Sequence, residues 1–200
     1  MNGLFAICGP PGAGKSTLAE ALSLALAAAD RPCQVVAPLQ ANSALVRRIS
    51  SLPSPSDPSW PERERLMSDY FTLRLLEATE LEIAPALGAG RWVITDRWVP
   101  DQIVNQTFFG VEPVTRQPAL GRLPRPAVTV LLDVDVETAL RRNEERCRSA
   151  GPFALRRDFL EHARQAYRKM ASDDTTLLSL DGTAPTHRNV ELILQHLEVS

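Results

Sequence analysis

The stretch Gly9-Pro10-Pro11-Gly12-Ala13-Gly14-Lys15-Ser16 matches the pattern G-x-x-x-x-G-K-[ST] at every fixed position. The five apolar residues before it, 4 to 8, predict a buried strand, and residues 17 to 29 predict a helix. Glycines let the backbone N–H groups of such a loop turn inward around a polyphosphate. The start of the helix adds unpaired N–H donors and a partial positive charge. We therefore interpret the stretch as a phosphate-binding loop rather than an ordinary glycine-rich turn.

Two side chains of this loop carry the chemistry that the pattern predicts. We expect Lys15 to reach the β- and γ-phosphates of ATP, and the Ser16 hydroxyl to hold Mg²⁺. The loop backbone and the first residue after it complete the predicted donor site. The predicted ATP-binding residues of this segment are Gly9, Pro10, Pro11, Gly12, Ala13, Gly14, Lys15, Ser16 and Thr17.

Composition narrows the class of protein. The 200 residues fit one domain, 1–200, and the apolar and charged shares of 44% and 23% are those of an ordinary globular chain. A net charge of −2 disfavours a broadly basic protein that binds nucleic acid polymers. The three cysteines form no C-x-x-C pair, so a zinc site or disulfide framework is not expected. Neither a signal peptide nor a bilayer-length apolar segment is evident, which predicts a cytoplasmic protein without membrane contact.

Strand-like and helix-like segments alternate along the whole chain. This alternation predicts an α/β fold in which a five-stranded parallel sheet has helices on both faces. The predicted strands are residues 4–8, 33–37, 92–95, 128–132 and 177–180, and the predicted helices are 17–29, 42–49, 61–87, 101–108, 136–146, 158–170 and 186–197. Pro85 is expected to end or kink the long middle helix.

The next informative pair is Asp96-Arg97, which follows the third predicted strand. Ligands of parallel sheets gather at the carboxyl ends of the strands. A carboxylate there can help to hold Mg²⁺, and an arginine beside it can form bidentate hydrogen bonds with an acceptor phosphate. We therefore predict Asp96 as a metal ligand with Ser16, and Arg97 as a catalytic residue with Lys15.

Residues 141 to 157 hold six arginines and predict a short lid at about 143–157. Phosphoryl transfer needs positive charge that arrives with the substrate and excludes water, and a flap between two helices can supply it. We expect Arg142, Arg146 and Arg148 to touch phosphate or adenine. No [NT]-K-x-D stretch for guanine recognition occurs, so transfer to a bound acceptor is favoured over GTP hydrolysis.

Nearly the whole chain resembles the P-loop nucleoside monophosphate kinases, and most closely the thymidylate kinases. The segments that carry this resemblance, beside the phosphate loop, are Tyr70-Phe71-Thr72-Leu73-Arg74, residues 90–98, Gln106, residues 127–135, the spacing of Phe159, Ala163 and Tyr167, and Asp181-Gly182-Thr183. The resemblance implies a P-loop NTPase fold, ATP with Mg²⁺, a nucleoside monophosphate acceptor and a homodimer through the long middle helix. It places Gly182 beside adenine, Phe71 and Arg74 at the acceptor base, and the transition-state arginine in the lid, at Arg146 or Arg148.

The departures from the family pattern cluster around the acceptor. Pro11 replaces an acidic residue that senses the sugar, and Val36-Ala37-Pro38 replaces R-E-P. Asp101-Gln102 replaces two serines, and Asn105 replaces a tyrosine beside the sugar 2′ position. We therefore hypothesise a non-standard or modified pyrimidine nucleotide as acceptor. The predicted acceptor-binding residues are Phe71, Arg74, Arg97, Trp98, Asp101, Asn105 and Gln106.

Two other functions remain open at this point. One is a kinase of a nucleoside or another small hydroxyl-bearing molecule, for which Asp101 would supply the carboxylate base. The other is a nucleotide-binding protein that no longer catalyses, although Lys15, Ser16, Asp96 and Arg97 are all retained.

Overall fold

The computed structural model describes residues 3–40, 44–51, 60–111, 123–145 and 154–199. The strands are β1 (Leu4–Cys8), β2 (Cys33–Val36), β3 (Trp92–Asp96), β4 (Val128–Asp133) and β5 (Leu178–Asp181). The helices are α1 (Lys15–Ala28), α2 (Ala44–Ser50), α3 (Trp60–Ala78), α4 (Ala84–Gly88), α5 (Val99–Phe108), α6 (Val136–Glu145), α7 (Arg157–Asp173) and α8 (Thr186–Val199).

The five strands form one parallel sheet in the order β2-β3-β1-β4-β5. β1 lies at its centre, between β3 and β4, and all five of its residues are buried. Side chains alternate across the sheet, so Phe5 and Ile7 enter one apolar core while Leu4, Ala6 and Cys8 enter the other. The predicted five-stranded parallel sheet is confirmed.

Helices cover both faces of the sheet. On one face α1 packs beside α8 and places Leu18, Leu22 and Leu26 in the first core. On the other face α5 lies between α3 and α7, and Leu75 and Val104 enter the second core. The chain is therefore a three-layer α/β structure with a core on each side of β1. No described helix combines the length and the apolarity that a membrane crossing requires.

The long middle helix is not continuous, contrary to the simple expectation of one helix over 61–87. A π turn, Thr79–Ile83, separates α3 from α4. The Ala84 N–H donates to the carbonyl of Thr79, five residues earlier, and Pro85 follows in the first turn of α4. Proline has no N–H to donate and its ring clashes with the preceding turn of an α-helix. The wider turn accommodates this proline, which is the kink that the sequence predicted.

Other boundaries shift by a few residues. α5 begins at Val99 rather than residue 101, because Pro100 occupies its first turn and Asp101 accepts from the Trp98 N–H in a capping arrangement. The predicted lid, 143–157, is described only at its ends: residues 143–145 belong to α6 and Arg157 begins α7. Arg146 and Arg148 lie outside the described residues.

Candidate active site

The phosphate-binding loop joins β1 to α1 and is closed around its own lysine. Lys15 is 5% exposed, and its Nζ donates to the carbonyls of Gly9 at 2.6 Å and Pro10 at 2.9 Å. Gly12 has φ +84°, and a Cβ there would lie 2.7 Å from the Ala139 carbonyl on α6. Only glycine allows both this backbone conformation and this approach. The loop therefore fits tightly against α6.

Burial makes the charge of Lys15 dependent on pH. The pKa of Lys15 falls from 10.5 to about 8, chiefly because burial disfavours the charged amine and then because the Arg97 guanidinium lies nearby. The carboxylates of Asp101 and Asp96 oppose this shift. Two cations thus approach one another at the point where a highly charged anion would sit.

Ser16 and Asp96 meet at the carboxyl ends of neighbouring strands. The Ser16 hydroxyl donates to Asp96 Oδ2 at 2.5 Å. Asp96 Oδ1 is buried and accepts no hydrogen bond from the described residues, although Arg97 Nη1 lies 3.6 Å away. Mg²⁺ prefers oxygen ligands. The Ser16 hydroxyl and the buried Asp96 oxygen, which accepts no hydrogen bond from the described residues, are such ligands. These two residues are therefore the ones that would hold the ion, and elsewhere the described residues offer no cluster of three His, Cys, Asp or Glu ligands.

Arg97 stands in a turn directly after β3. Its φ is +78°, in the left-handed region that non-glycine residues seldom occupy, and its N–H donates to the Ile7 carbonyl at 3.0 Å. The guanidinium is one-third exposed, beside Asp96. The turn therefore holds a positively charged side chain near the mouth of the phosphate loop.

A cleft of about 290 Å³ opens beside the loop and joins it to the turn after β5. Arg142 on α6 lines this cleft, and its Nη1 donates to the carbonyls of Gly12 at 3.2 Å and Gly182 at 3.0 Å. Gly182 also approaches the loop so closely that a Cβ would lie 2.7 Å from the Ala13 carbonyl. The predicted donor-site residues that line the cleft are Gly12, Ala13, Gly14, Thr17, Arg142 and Gly182.

A second, smaller cavity lies between α3 and α5. It brings together Phe71, Asn105 and Gln106 from the predicted acceptor set. Gln106 Nε2 donates to Ser68 Oγ at 2.6 Å, and Gln102 Nε2 donates to the Ser68 carbonyl at 3.0 Å. The rest of the lining includes a methionine, a valine and a second phenylalanine, so the cavity combines a few polar groups with a mainly apolar surface.

Glu64 adds a carboxyl group to this cavity. It is 4% exposed and pairs with Arg63 at 3.1 Å. Burial raises the pKa of the Glu64 carboxyl, against the opposing effect of Arg63. The sequence reasoning missed Glu64 and Ser68. Their helical spacing from Phe71 on α3 is a signal that places all three on one face.

The amino-acid sequence is similar to those of known proteins. Residues 7–193 match the family model described as thymidylate kinase. A thymidylate kinase of Pseudomonas fluorescens (strain Pf0-1) is 36% identical over 184 residues, which cover 87% of this chain and 84% of that protein. A probable thymidylate kinase of Archaeoglobus fulgidus is 30% identical over 196 residues, or 98% of this chain and 94% of that protein. A thymidylate kinase of Shewanella sp. (strain MR-4) is 29% identical over 156 residues, covering 75% and 73% of the two chains.

The chain belongs to the thymidylate kinase family. This assignment rests on the family match over most of the chain and on the curated relatives. The resemblance in the sequence motifs is thereby confirmed. The protein is an enzyme of the nucleoside monophosphate kinase class, with the phosphate loop and parallel sheet that the class implies.

In this member of the thymidylate kinase family, several predicted acceptor residues lie away from the second cavity. Arg74 pairs with Glu77. Trp98 is buried in the second core. Asp101 accepts from the Trp98 N–H at 3.1 Å and from the Tyr167 hydroxyl at 2.9 Å, so both of its oxygens have partners within the protein. The alternative of a kinase of a nucleoside or another small hydroxyl-bearing molecule used Asp101 as the carboxylate base, and this carboxyl group is instead engaged by Trp98 and Tyr167.

The arginine-rich segment of this family member divides into different environments. Arg142 lines the cleft beside the phosphate loop. Arg156 pairs with Asp158 and lies over the Phe108 ring, 5.1 Å from its centroid, while Arg157 pairs with Glu137. The cleft also contains Asn189, whose Nδ2 donates to the Asp181 carbonyl at 2.9 Å. No sequence pattern pointed to Asn189, because the packing of α8 against α1 and β5 decides its position.

Proposed function

We propose that the enzyme transfers the γ-phosphoryl group of Mg·ATP to the 5′-phosphate of a pyrimidine nucleoside monophosphate. ADP and the nucleoside diphosphate are the products. The observation that carries this proposal is the junction between loop and turn, where Ser16 bonds to Asp96 and the charge of Arg97 reaches Lys15. One side of this junction opens to the cleft beside Arg142, and α5 leads from the turn to the second cavity.

The residues of the chain act mainly by positioning and electrostatics. Lys15 and the loop amides hold the donor phosphates, and Arg97 holds the acceptor phosphate. Ser16 and Asp96 hold Mg²⁺, which when bound neutralises charge on the phosphate oxygens. Arg142 and Gly182 border the space for adenine. The phosphate loop has no arginine between Gly9 and Gly14, so we assign the remaining transition-state charge to the lid arginines Arg146 and Arg148.

Substitution of the two central cations tests this assignment. Lys15→Ala and Arg97→Ala should each lower kcat at least ~100-fold, the scale of losing one preorganised charge stabiliser. Arg91→Ala, which removes an exposed cation just before β3, serves as the matched control and should leave the rate nearly unchanged. Retained activity in both site variants would reject the assignment.

We further propose that the acceptor differs from ordinary dTMP. Asn105 and Glu64 place an amide and a carboxyl group at the otherwise mainly apolar second cavity. Pro11 lacks a side chain that accepts a hydrogen bond from the sugar. Buried polar sites discriminate strongly against ligands that leave their groups unpaired.

A panel of acceptors decides this point. Initial rates with dTMP, dUMP, CMP and UMP under fixed Mg·ATP give kcat/KM for each. We expect a ribonucleotide or a pyrimidine without the 5-methyl group to exceed dTMP. A clear preference for dTMP would reject the altered acceptor while leaving the kinase reaction itself intact.

A further inference from the structure

The turn that carries Arg97 is strained and therefore needs support. A non-glycine residue at φ +78° persists only where its surroundings hold it. We propose that Asp101 and Tyr167 form a positioning pair that holds this turn, and with it Arg97, in place for the acceptor phosphate. The proposal rests on the function proposed for Arg97, and it assigns to the pair a positioning role rather than contact with the substrate.

Asp101 holds the residue next to Arg97. Its Oδ2 accepts from the backbone N–H of Trp98 at 3.1 Å, while the Asp101 N–H donates back to the Trp98 carbonyl at 3.1 Å. Trp98 has no side-chain acceptor, so only the half of a capping box in which the Asp101 carboxylate accepts from the N-cap N–H is present, and the carbonyl of Trp98 closes the first turn of α5. Asp101 is 4% exposed and the Trp98 side chain is anchored in the second core. The residue after Arg97 is therefore held both through its backbone, by Asp101, and through its side chain, by the second core.

Tyr167 fixes Asp101 from another element. Its hydroxyl on α7 donates to Asp101 Oδ1 at 2.9 Å, and its ring is buried in the second core. Burial and then the charge of Asp101 raise the pKa of Tyr167 well above its ordinary value, so the hydroxyl keeps its proton. Bonds from neutral donors to a charged acceptor are stronger than those between neutral groups. The hydroxyl therefore restricts the rotation of the carboxyl group.

The end of β1 takes part in the same arrangement. Burial raises the pKa of the Cys8 thiol well above its ordinary value, and the charge of Asp101 and a hydrogen bond with it act in the same direction. Asp101 thereby connects α5 to β1, directly before the phosphate loop, and to α7, directly after the lid segment. A carboxyl group at this position can align the acceptor turn with both, without taking part in the reaction.

Tyr167→Phe is the first test, because it removes one hydroxyl and keeps the ring. We expect the KM for the acceptor to rise about tenfold, with kcat and the KM for Mg·ATP changed by less than about twofold, because the lost bond is charge-assisted and acts only on Arg97. The matched control is Thr107→Val. It removes another hydrogen bond between α5 and α7, the one between Thr107 Oγ1 and His162 Nε2 at 3.1 Å, far along α5 from the turn.

A second pair of variants, at Asp101, distinguishes the positioning role from a general loss of folding. Asp101→Asn keeps an oxygen that can accept from the Trp98 N–H and an amide that can donate to Tyr167, so it should retain more acceptor affinity than Asp101→Ala. Equal loss in Asn and Ala variants would reject the positioning role. An equal rise of the KM for the acceptor and the KM for Mg·ATP in Tyr167→Phe would also reject it. The same holds if Thr107→Val raises the KM for the acceptor as much as Tyr167→Phe does.

A readout without turnover separates this inference from the proposed reaction. Hydrogen–deuterium exchange at the Trp98 amide should quicken about tenfold in Tyr167→Phe and stay unchanged in Thr107→Val. If the wild-type protein phosphorylates no nucleotide but this exchange difference appears, the proposed function fails and the structural support of the turn stands. Unchanged exchange in Tyr167→Phe would reject the support itself.

Discussion

In the proposed reaction, triphosphate binding depends on the charge of Lys15, and burial makes that charge vary with pH near neutrality. An amine with a pKa of about 8 is partly neutral in mildly alkaline solution, whereas an ordinary lysine is fully charged there. Bound phosphates would favour the charged form and raise the pKa again. Binding above pH 8 must therefore take up a proton.

The affinity for Mg·ATP should fall as the pH rises above 8, approaching tenfold per pH unit. Calorimetry from pH 7 to 9.5, in buffers of different ionisation enthalpy, measures both the affinity and the proton uptake. Lys15→Arg is the control, because a guanidinium stays charged over this range and should give a flat profile. A flat profile in the wild type would contradict the lowered pKa.

For single residues, the sequence motifs predicted well which residues gather at the site. They predicted less well which partner each of these residues contacts. The loop pattern located Lys15 and Ser16 because the pattern itself encodes their roles. Asp101 was expected to face the acceptor, but its oxygens accept from Trp98 and Tyr167. Its position directly after Pro100, in the first turn of α5, was a signal for capping. Its hydrogen bond from Tyr167 on α7 could not be predicted, because Tyr167 lies far from Asp101 in the sequence.

Among the elements, β4 and α7 are joined by an ion-pair network. Asp133 at the end of β4 accepts from Arg164 Nε at 2.8 Å and from Arg168 Nη2 at 2.7 Å. Partial burial alone would raise the pKa of Asp133, but the hydrogen bonds from the two arginines outweigh it and lower the pKa. A carboxyl group shared by two arginines of one helix fixes that helix against the sheet.

Asp133→Asn should lower the free energy of unfolding at pH 7 by about 1–2 kcal/mol, because charged hydrogen bonds are lost. A lowered native pKa stabilises above the ordinary value of 3.8, and this stabilisation disappears as the pH falls through the native pKa. The difference between variant and wild type should therefore shrink towards pH 3. Urea denaturation at both pH values measures it.

Asp173→Asn provides the comparison, because it removes an exposed pair with Lys169 within one helix. Its effect should stay below about 0.5 kcal/mol. A loss in Asp133→Asn no larger than this, or one that grows in acid, would contradict the network.

The strands were predictable because each is a short apolar run between turn residues, and the observed bounds differ from the predicted ones by at most a residue. The π turn was not, since Pro85 indicates a break but not its form. The cavity between α3 and α5 was predicted only in part. Which face of α3 turns towards α5 depends on packing between helices, so Glu64 and Ser68 emerged only from the structure.

For the whole molecule, the outer side of the middle helix is apolar. Leu66 and Leu73 on α3 and Leu81 in the π turn are 45%, 64% and 70% exposed. Exposed large apolar side chains along one helical segment are typical of an interface. We propose that this segment joins two copies of the chain, as the family resemblance implies.

Leu73→Glu should shift the protein from dimer to monomer, because each copy would place a charge in the apolar contact. Sedimentation equilibrium at micromolar concentration measures the change. Leu24→Glu alters a residue of similar exposure, 67%, on α1 at the opposite face and should leave the assembly unchanged. A wild-type monomer at this concentration, or equal behaviour of both variants, would reject the interface.

The place of β1 at the centre of the sheet also governs how the chain emerges from the ribosome. Its two neighbours are β3 and β4, whose residues are 92–96 and 128–133, so a strand made early waits for partners made much later. Until then β1 has neither neighbouring strand to pair with. Pairing between strands that lie far apart in the sequence is slow and leaves apolar segments exposed to aggregation. A chaperone that shields short apolar stretches would find a target at Leu4–Cys8 during synthesis.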